Sequence, residues 1–231
     1  MSTPSRRLWL APSLLSADFA SLGEAVGDAE RGGADALHLD VMDGHFVPNI
    51  SFGPAVVAAV RAMTKLPLDI HLMISRPLRY VEAFRKAGGD TLAFHIESED
   101  PPLEVVRAIR SSGAAVGAAI RPGTAFNAVR PFLSQLDEVL VMSVHPGFSG
   151  QAFIPEVLPK VRMARDELDR SGSKALVSVD GGVTAATAVD AARAGATFFV
   201  CGNSVYNSGD VAQNLARLRA AVESGARDGV R

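Results

Sequence analysis

Residues 36–44 read ALHLDVMDG, and this stretch decides the fold. It is apolar up to Asp40 and then enters a turn at Gly44. A second stretch, ALVSVDGG at residues 175–182, repeats the pattern, with Asp180 in the place of Asp40. Short apolar runs bounded by turn residues predict buried parallel strands. We therefore expect both carboxylates at C-terminal strand ends, facing one pocket from two sides, as proton transfer between the two faces of a carbon requires.

Outward from these stretches, short apolar runs alternate with longer amphipathic ones. Eight strand–helix units in 231 residues predict the α/β class and a (β/α)8 TIM barrel, one domain over residues 1–231. A doubly wound open sheet is the alternative, but eight strand–helix units of similar length favour a closed barrel. A frayed tail is expected from Gly225 on. Predicted strands are Leu8–Pro12, Ala36–Asp40, Leu68–Met73, Thr91–His95, Ala115–Ile120, Glu138–Ser143, Ala175–Asp180 and Thr197–Cys201. Predicted helices are Phe19–Arg31, Gly53–Met63, Leu78–Lys86, Leu103–Ser111, Ala125–Phe132, Glu156–Arg170, Ala185–Ala194 and Val211–Val222.

Composition narrows the function classes. A net charge of −2 with scattered basic residues argues against nucleic acid or a membrane surface as partner. One cysteine cannot form an internal disulfide, which suits a reducing compartment. No stretch looks like a secretory signal or a bilayer span, so we expect a cytoplasmic protein.

Polar residues at the predicted strand ends indicate a metal site. Alternate residues from His38 to Met42 share one face of their strand, as do those from Asp69 to Met73. If both faces point to the barrel mouth, two imidazoles and two carboxylates converge, a donor set that suits one divalent ion: zinc, iron(II), manganese or cobalt. The alternative is that loop backbone satisfies these polar side chains. The four candidate ligands are His38, Asp40, His71 and Asp180.

Other residues refine the picture of the pocket. Met42, Met73 and Met142 also fall at strand ends, where they either fill core gaps or form an apolar collar above the metal. All four lysines lie on predicted helices or before strands, which argues against Schiff-base aldolase chemistry. Three glycine turns offer backbone N–H groups to a phosphate. They are Gly147-Phe148-Ser149-Gly150, Gly181-Gly182 and Gly202-Asn203-Ser204.

From about residue 8 to 222 the chain resembles the ribulose-phosphate 3-epimerase family. The resemblance rests on APSLLSADF at residues 11–19, HLDVMDGHFVPNISFGP at 38–54, DIHLM at 69–73, VMSVHPGFSGQAFIP at 141–155 and VDGGV at 179–183. It implies a metal-dependent barrel, usually a homo-oligomer, whose small-molecule substrate is a sugar phosphate. The family interconverts D-ribulose 5-phosphate and D-xylulose 5-phosphate in the pentose phosphate and Calvin cycles.

The resemblance also implies roles for residues. The ligands would be His38, Asp40, His71 and Asp180, and the two aspartates would be the acid/base pair for epimerisation at C3 through a cis-enediolate. Ser13 and His71 would contact the sugar, and the three methionines would cap it. The phosphate would rest on Gly147, Phe148, Ser149, Gly150, Gly181, Gly182, Gly202 and Asn203, and the loop around Phe148 would close as a lid.

The chain departs from the family pattern at a few loop positions, and other activities stay open. His145, Ser149, Arg121 and Asn203 stand where the family often has other residues, and none is an implied ligand or acid/base residue. One alternative is a 3-epimerase of a six-carbon ketose phosphate such as D-allulose 6-phosphate. Another is a decarboxylase or aldol-type lyase on the same barrel, although the Asp-x-Lys-x-x-Asp of those relatives is missing after Asp40. A non-catalytic sugar-phosphate binder is the third.

Overall fold

Eight parallel strands form the centre of the computed structural model, which describes residues 6–207 and 209–229. Each strand pairs with its neighbours in the order β1-β8-β7-β6-β5-β4-β3-β2, with helical segments between them. This confirms the predicted (β/α)8 barrel. The strands are β1 (Trp9–Pro12), β2 (Leu37–Met42), β3 (Leu68–Met73), β4 (Thr91–His95), β5 (Ala115–Ile120), β6 (Glu138–Met142), β7 (Leu176–Asp180) and β8 (Phe198–Cys201).

The barrel closes between β1 and β2, where the two strands share less backbone pairing than the other neighbouring strands. β1 pairs with β8 over its whole length, but its strand pairing with β2 is one parallel bridge between Ser13 and His38. Nearer the other end of the barrel, the N–H of Asp35 donates to the carbonyl of Leu10 at 2.9 Å, and the N–H of Leu10 donates to Oδ2 of Asp35, also at 2.9 Å. These contacts exclude an open doubly wound sheet.

The helices pack around the barrel, and several of their ends have clear sequence signals. α2 and α4 begin with proline, whose missing N–H is not needed in the first turn. α4 ends at Gly113, which has the left-handed conformation with φ 83°. Among the described residues, no helix is long and apolar enough to cross a membrane. The α-helices are α1 (Leu22–Arg31), α2 (Pro54–Met63), α3 (Val81–Lys86), α4 (Pro102–Ser112), α5 (Leu158–Arg170), α6 (Ala185–Ala194), α7 (Asn203–Tyr206) and α8 (Val211–Gly229).

The predicted helix at Ala125–Phe132 is wrong. Two 3₁₀ segments, Phe126–Ala128 and Arg130–Gln135, follow β5 instead. Pro131 stands at the start of the second segment and has no N–H to continue an α-helical ladder. Short 3₁₀ segments also replace the first turn of three predicted helices, at Phe19–Ser21, Pro77–Arg79 and Pro155–Val157.

The expected frayed tail is also wrong over residues 225–229, since α8 continues through Gly225 to Gly229, and residues 230–231 lie outside the described part of the chain. Gly225 is buried, and a Cβ there would lie 2.2 Å from the carbonyl oxygen of Val189 on α6. The glycine that looked like a helix end therefore allows two helices to pack closely.

Candidate active site

Four polar side chains converge at the C-terminal end of the barrel, as the strand alternation predicts. β2 supplies His38 and Asp40, β3 supplies His71 opposite Asp40, and β7 ends at Asp180. One nitrogen or oxygen from each lies within 4.8 Å of the others. Nδ1 of His71 is 2.9 Å from Oδ1 of Asp40 and 3.5 Å from Oδ2 of Asp180, and Nε2 of His38 is 3.2 Å from Oδ1 of Asp40.

Both imidazoles are oriented by a partner on the side away from the cluster. Nδ1 of His38 is 2.7 Å from Oδ2 of Asp69, and Nε2 of His71 is 2.9 Å from Nε2 of His95. Each ring therefore turns its other nitrogen, Nε2 of His38 and Nδ1 of His71, toward the two aspartates. Outer contacts of this kind fix the tautomer and orientation of metal-binding histidines.

The donor set fits a divalent metal ion. Two imidazole nitrogens and two carboxylate oxygens, without thiolate, are ligands that zinc, iron(II), manganese and cobalt accept. Within the described part of the chain, His38, Asp40, His71 and Asp180 form a group that could hold such an ion.

The carboxylates make the cluster favourable for positive charge. Burial alone would lower the pKa of His71, but hydrogen bonds to Asp180 and Asp40 outweigh it and raise that pKa to about 9. The pKa of His38 likewise stands well above its usual range, because the charges of Asp40 and Asp69 outweigh its burial. A site that stabilises two imidazolium ions in this way also attracts a cation.

The sequence left His95 and Glu97 without a role, and the structure connects both to the cluster. His95 is fully buried between Nε2 of His71 and Oε2 of Glu97, which lies 3.0 Å from its Nδ1. Burial lowers the pKa of His95 to about 4, so the ring is neutral and its Nε2 can accept a hydrogen bond from the Nε2–H of His71. Hydrogen bonds to His95, Thr124 and the N–H of Arg121 overcome burial and lower the pKa of Glu97 to about 2. In the sequence, the i, i+2 spacing of His95 and Glu97 was the one sign that these two side chains could pair.

A cavity of about 490 Å³ opens above the cluster. Ser13 lines it and donates from Oγ to Oδ2 of Asp40 at 2.6 Å. His38 and His71 are fully buried and do not line it, so their rings face the cluster and not the open space. The other predicted residues that line the cavity are Asp40, Asp180, Met42, Met73, Met142, Gly147, Phe148, Ser149, Gly150, Gly181, Gly182, Gly202 and Asn203.

The rim of the cavity is built from loops held to one another. Asn49, in the loop after β2, donates from Nδ2 to the carbonyl of Gly147 at 2.8 Å. Gln151 donates from Nε2 to the carbonyls of His145 and Phe148 at 2.7 and 2.9 Å, which closes the loop after β6 on itself. The Phe148 side chain remains 57% exposed at the tip.

One departure from the family pattern has a clear structural use. Arg121 follows β5 and lies over the ring of Phe46, 4.1 Å from its centre, while its Nη2 donates to the Phe46 carbonyl at 3.2 Å. The Phe46 ring in turn lies 4.7 Å from the ring of His95. Arg121 therefore anchors the loop after β2 above the buried histidines.

Fold and site together define an α/β-barrel enzyme with a candidate metal centre at the C-terminal ends of its strands. Residues 9–206 match the model of the ribulose-phosphate 3 epimerase family. The ribulose-phosphate 3-epimerase of Bacillus subtilis (strain 168) is 46% identical over 213 residues, covering 92% of this chain and 98% of the relative. That of Synechocystis sp. (strain ATCC 27184 / PCC 6803 / Kazusa) is 44% identical over 217 residues, covering 93% and 94%. The chain belongs to the ribulose-phosphate 3-epimerase family, which confirms the resemblance and makes the protein an epimerase, one of the isomerases.

Solved structures confirm the barrel fold. The 3-hexulose-6-phosphate synthase from Salmonella typhimurium superposes with a TM-score of 0.70 at 18% identity, covering 94% of this chain and all (100%) of the other. At that identity the likeness extends to the fold alone.

Proposed function

We propose that the protein interconverts D-ribulose 5-phosphate and D-xylulose 5-phosphate by inverting C3, with Asp40 and Asp180 as the acid/base pair. The observation that carries the proposal is that these two carboxylates, on different strands, lie within 4.8 Å of one another and both line the cavity. The relatives named ribulose-phosphate 3-epimerase support the choice of substrate.

In this proposal the two carboxylates act from opposite sides of the bound sugar. One removes the C3 proton to give a cis-enediolate, and the other returns a proton to the opposite face. The bond from Ser13 to Oδ2 of Asp40 holds one carboxylate in place. His38, Asp40, His71 and Asp180 would hold a divalent ion, whose positive charge would stabilise the negative charge that develops on the sugar oxygens.

The remaining cavity walls exclude water and hold the phosphate. Met42, Met73 and Met142 are each buried and offer no acid or base beside the reacting carbon. In the proposal, the phosphate binds to the backbone N–H groups of the glycine turns after β6, β7 and β8. Phe148 lies at the tip of the loop that closes over it. Glycine lets these N–H groups approach an anion closely.

A lyase reaction through a lysine is not favoured. Among the described residues, no lysine lines the cavity. Lys160 is hydrogen-bonded to the loop after β5. Its Nζ donates to the carbonyls of Arg121 and Pro122 at 2.8 and 3.0 Å.

Substituting Gly182 tests the phosphate site. Gly182 has φ 64°, and a Cβ would lie 2.3 Å from the backbone nitrogen of Phe153, so Gly182→Ala must shift the turn. Loss of one hydrogen bond to a charged phosphate costs about 1.5–3 kcal/mol, which raises KM roughly ten- to a hundredfold. Steady-state kinetics with D-ribulose 5-phosphate measures the change.

The matched control is Gly172→Ala, on the loop after α5. Gly172 has φ 68°, but a Cβ there would meet nothing within 4 Å, so this variant carries the same backbone cost without a collision. It is expected to lose about 1–2 kcal/mol of stability and keep its KM. Equal KM values in Gly182→Ala and Gly172→Ala would remove Gly182 from the phosphate site.

Proton NMR in D2O tests the proposed reaction directly. D-Ribulose 5-phosphate incubated with metal-loaded protein is expected to yield D-xylulose 5-phosphate carrying deuterium at C3. If protein shown to hold metal gave no conversion and no exchange, the pentose phosphate would be ruled out as the substrate. Conversion of D-allulose 6-phosphate with a clearly higher kcat/KM would assign the six-carbon substrate instead.

A further inference from the structure

The side chain of Arg121 extends from a firmly bonded stretch of backbone. Arg121 directly follows β5, and its N–H donates to Oε1 of Glu97 at 2.9 Å. Its carbonyl accepts from Nζ of Lys160 at 2.8 Å. Because both sides of the residue are bonded to neighbouring elements, the guanidinium that it carries has a fixed base from which to hold another loop.

The guanidinium holds Phe46, in the loop after β2, by its ring and by its backbone. It lies 4.1 Å from the ring centre, and Nη2 donates to the Phe46 carbonyl at 3.2 Å. A cation over an aromatic face is favourable, most of all where water is excluded. On the other side, the N–H of Phe46 donates to Oδ1 of Asp43 at 2.8 Å. Arg121 therefore supplies the contacts of the ring and the carbonyl, and Asp43 supplies that of the N–H.

The same segment, residues 46–49, contacts the glycine turn after β6. Nδ2 of Asn49 donates to the carbonyl of Gly147 at 2.8 Å. Val47 is buried, and a Cβ on Gly147 would lie 3.5 Å from the Cβ of Val47. Within the segment, the N–H of Asn49 donates to the carbonyl of Val47 at 2.8 Å. Arg121 and Gly147 thus contact opposite ends of one short, internally bonded segment.

We propose that Arg121 is a positioning residue for the phosphate turn after β6, because it fixes Phe46 and segment 46–49 in turn fixes Gly147. The inference deepens the proposed function and rests on the phosphate site assigned there. Gly147 lines the cavity and Arg121 does not, so the effect of Arg121 on the substrate passes through this turn. A turn that already has its binding geometry loses less freedom when the phosphate binds, which favours affinity.

Two substitutions at Arg121 separate the cation from simple packing. Arg121→Lys keeps a cation that can lie over Phe46, whereas Arg121→Met keeps an unbranched side chain and removes the charge and the donors. In Arg121→Met, KM for D-ribulose 5-phosphate is expected to rise about 3- to 30-fold, with kcat within about threefold of wild type. In Arg121→Lys the rise in KM should stay below about threefold.

Arg7→Met is the matched control for loss of a cation over a ring. The guanidinium of Arg7 also lies 4.1 Å from a ring centre, that of Trp9, which begins β1 at the other end of the barrel. This variant should keep the wild-type KM.

Asn49→Ala tests whether the effect passes through segment 46–49. It removes the hydrogen bond to Gly147 and is expected to raise KM by itself. Combined with Arg121→Met, it should raise KM by less than the product of the two single effects, because both changes release the same turn. Effects that simply multiply would contradict the connection between Arg121 and Gly147.

Hydrogen exchange gives a readout that needs no turnover. The backbone amides of residues 147–150 are expected to exchange faster in Arg121→Met than in wild type or Arg7→Met. Equal exchange in all three proteins, or an unchanged KM in Arg121→Met, overturns the role of Arg121 while the reaction stands. A wild type that does not convert D-ribulose 5-phosphate overturns the proposed function, and the role of Arg121 toward that substrate with it.

Discussion

Asp180→Asn and Asp40→Asn are each expected to lower kcat for epimerisation by about 10⁴-fold, the upper end of what one acid/base group contributes. Each asparagine keeps an oxygen for the metal but can neither remove nor return a proton. The remaining aspartate can still remove the C3 proton from one epimer and return it to the same face. We therefore expect slow deuterium exchange at C3 without inversion, for one epimer in Asp40→Asn and for the other in Asp180→Asn.

The experiment is NMR in D2O with each pure epimer, in parallel with metal analysis of each variant. Metal content near wild type shows that the loss belongs to proton transfer and not to an empty site. Exchange of the same epimer by both variants would contradict a two-base reaction. Turnover within tenfold of wild type in either one would remove that aspartate from the chemistry.

Stripping the metal is expected to lower kcat by about 10³-fold or more, because a bound ion contributes several kcal/mol of charge stabilisation. In metal-free protein the raised pKa values of His38 and His71 leave both rings protonated and paired with Asp40 and Asp180. The charge and hydrogen bonds of these rings outweigh burial and keep the pKa of Asp40 below its usual range, so this carboxylate is a weaker base. Dialysis against a chelator, metal analysis and assay test this, and separate addition of Zn²⁺, Fe²⁺, Mn²⁺ and Co²⁺ shows which ion restores turnover.

A pair of histidine variants controls for non-specific damage. His71→Ala removes a cluster nitrogen and is expected to lower both metal content and turnover. His145→Ala changes an exposed histidine beside the same cavity, and its metal content should match wild type. Full activity in protein shown to contain no transition metal would contradict the metal assignment.

Local pattern was enough to predict the barrel and the convergence of the four cluster residues. Leu68–Met73 matches β3 residue for residue, because a short apolar run between turns has few alternatives to a buried parallel strand. Strand alternation then placed His38 and Asp40 on one face, and barrel geometry placed Asp180 with them.

Features that depend on distant contacts could not be predicted. Glu138 looked like the polar start of a strand, and its burial beside Gly117 and Ser178, which lie on two other strands, depends on the closed barrel. Gly225 looked like a helix end because its close packing against Val189 leaves no trace in the local sequence. Both depend on packing between elements far apart in the chain.

The sparse join between β1 and β2 has a consequence for synthesis on the ribosome. β1 leaves the ribosome first, yet its full partner is β8, near the other end of the chain, and its tie to β2 is the bridge from Ser13 to His38. The nascent sheet therefore has no complete partner for β1 until β8 has emerged, so the closing step joins the oldest strand to the newest. Since Gly202 and Asn203, directly after β8, also line the cavity, the pocket is complete only after that last step.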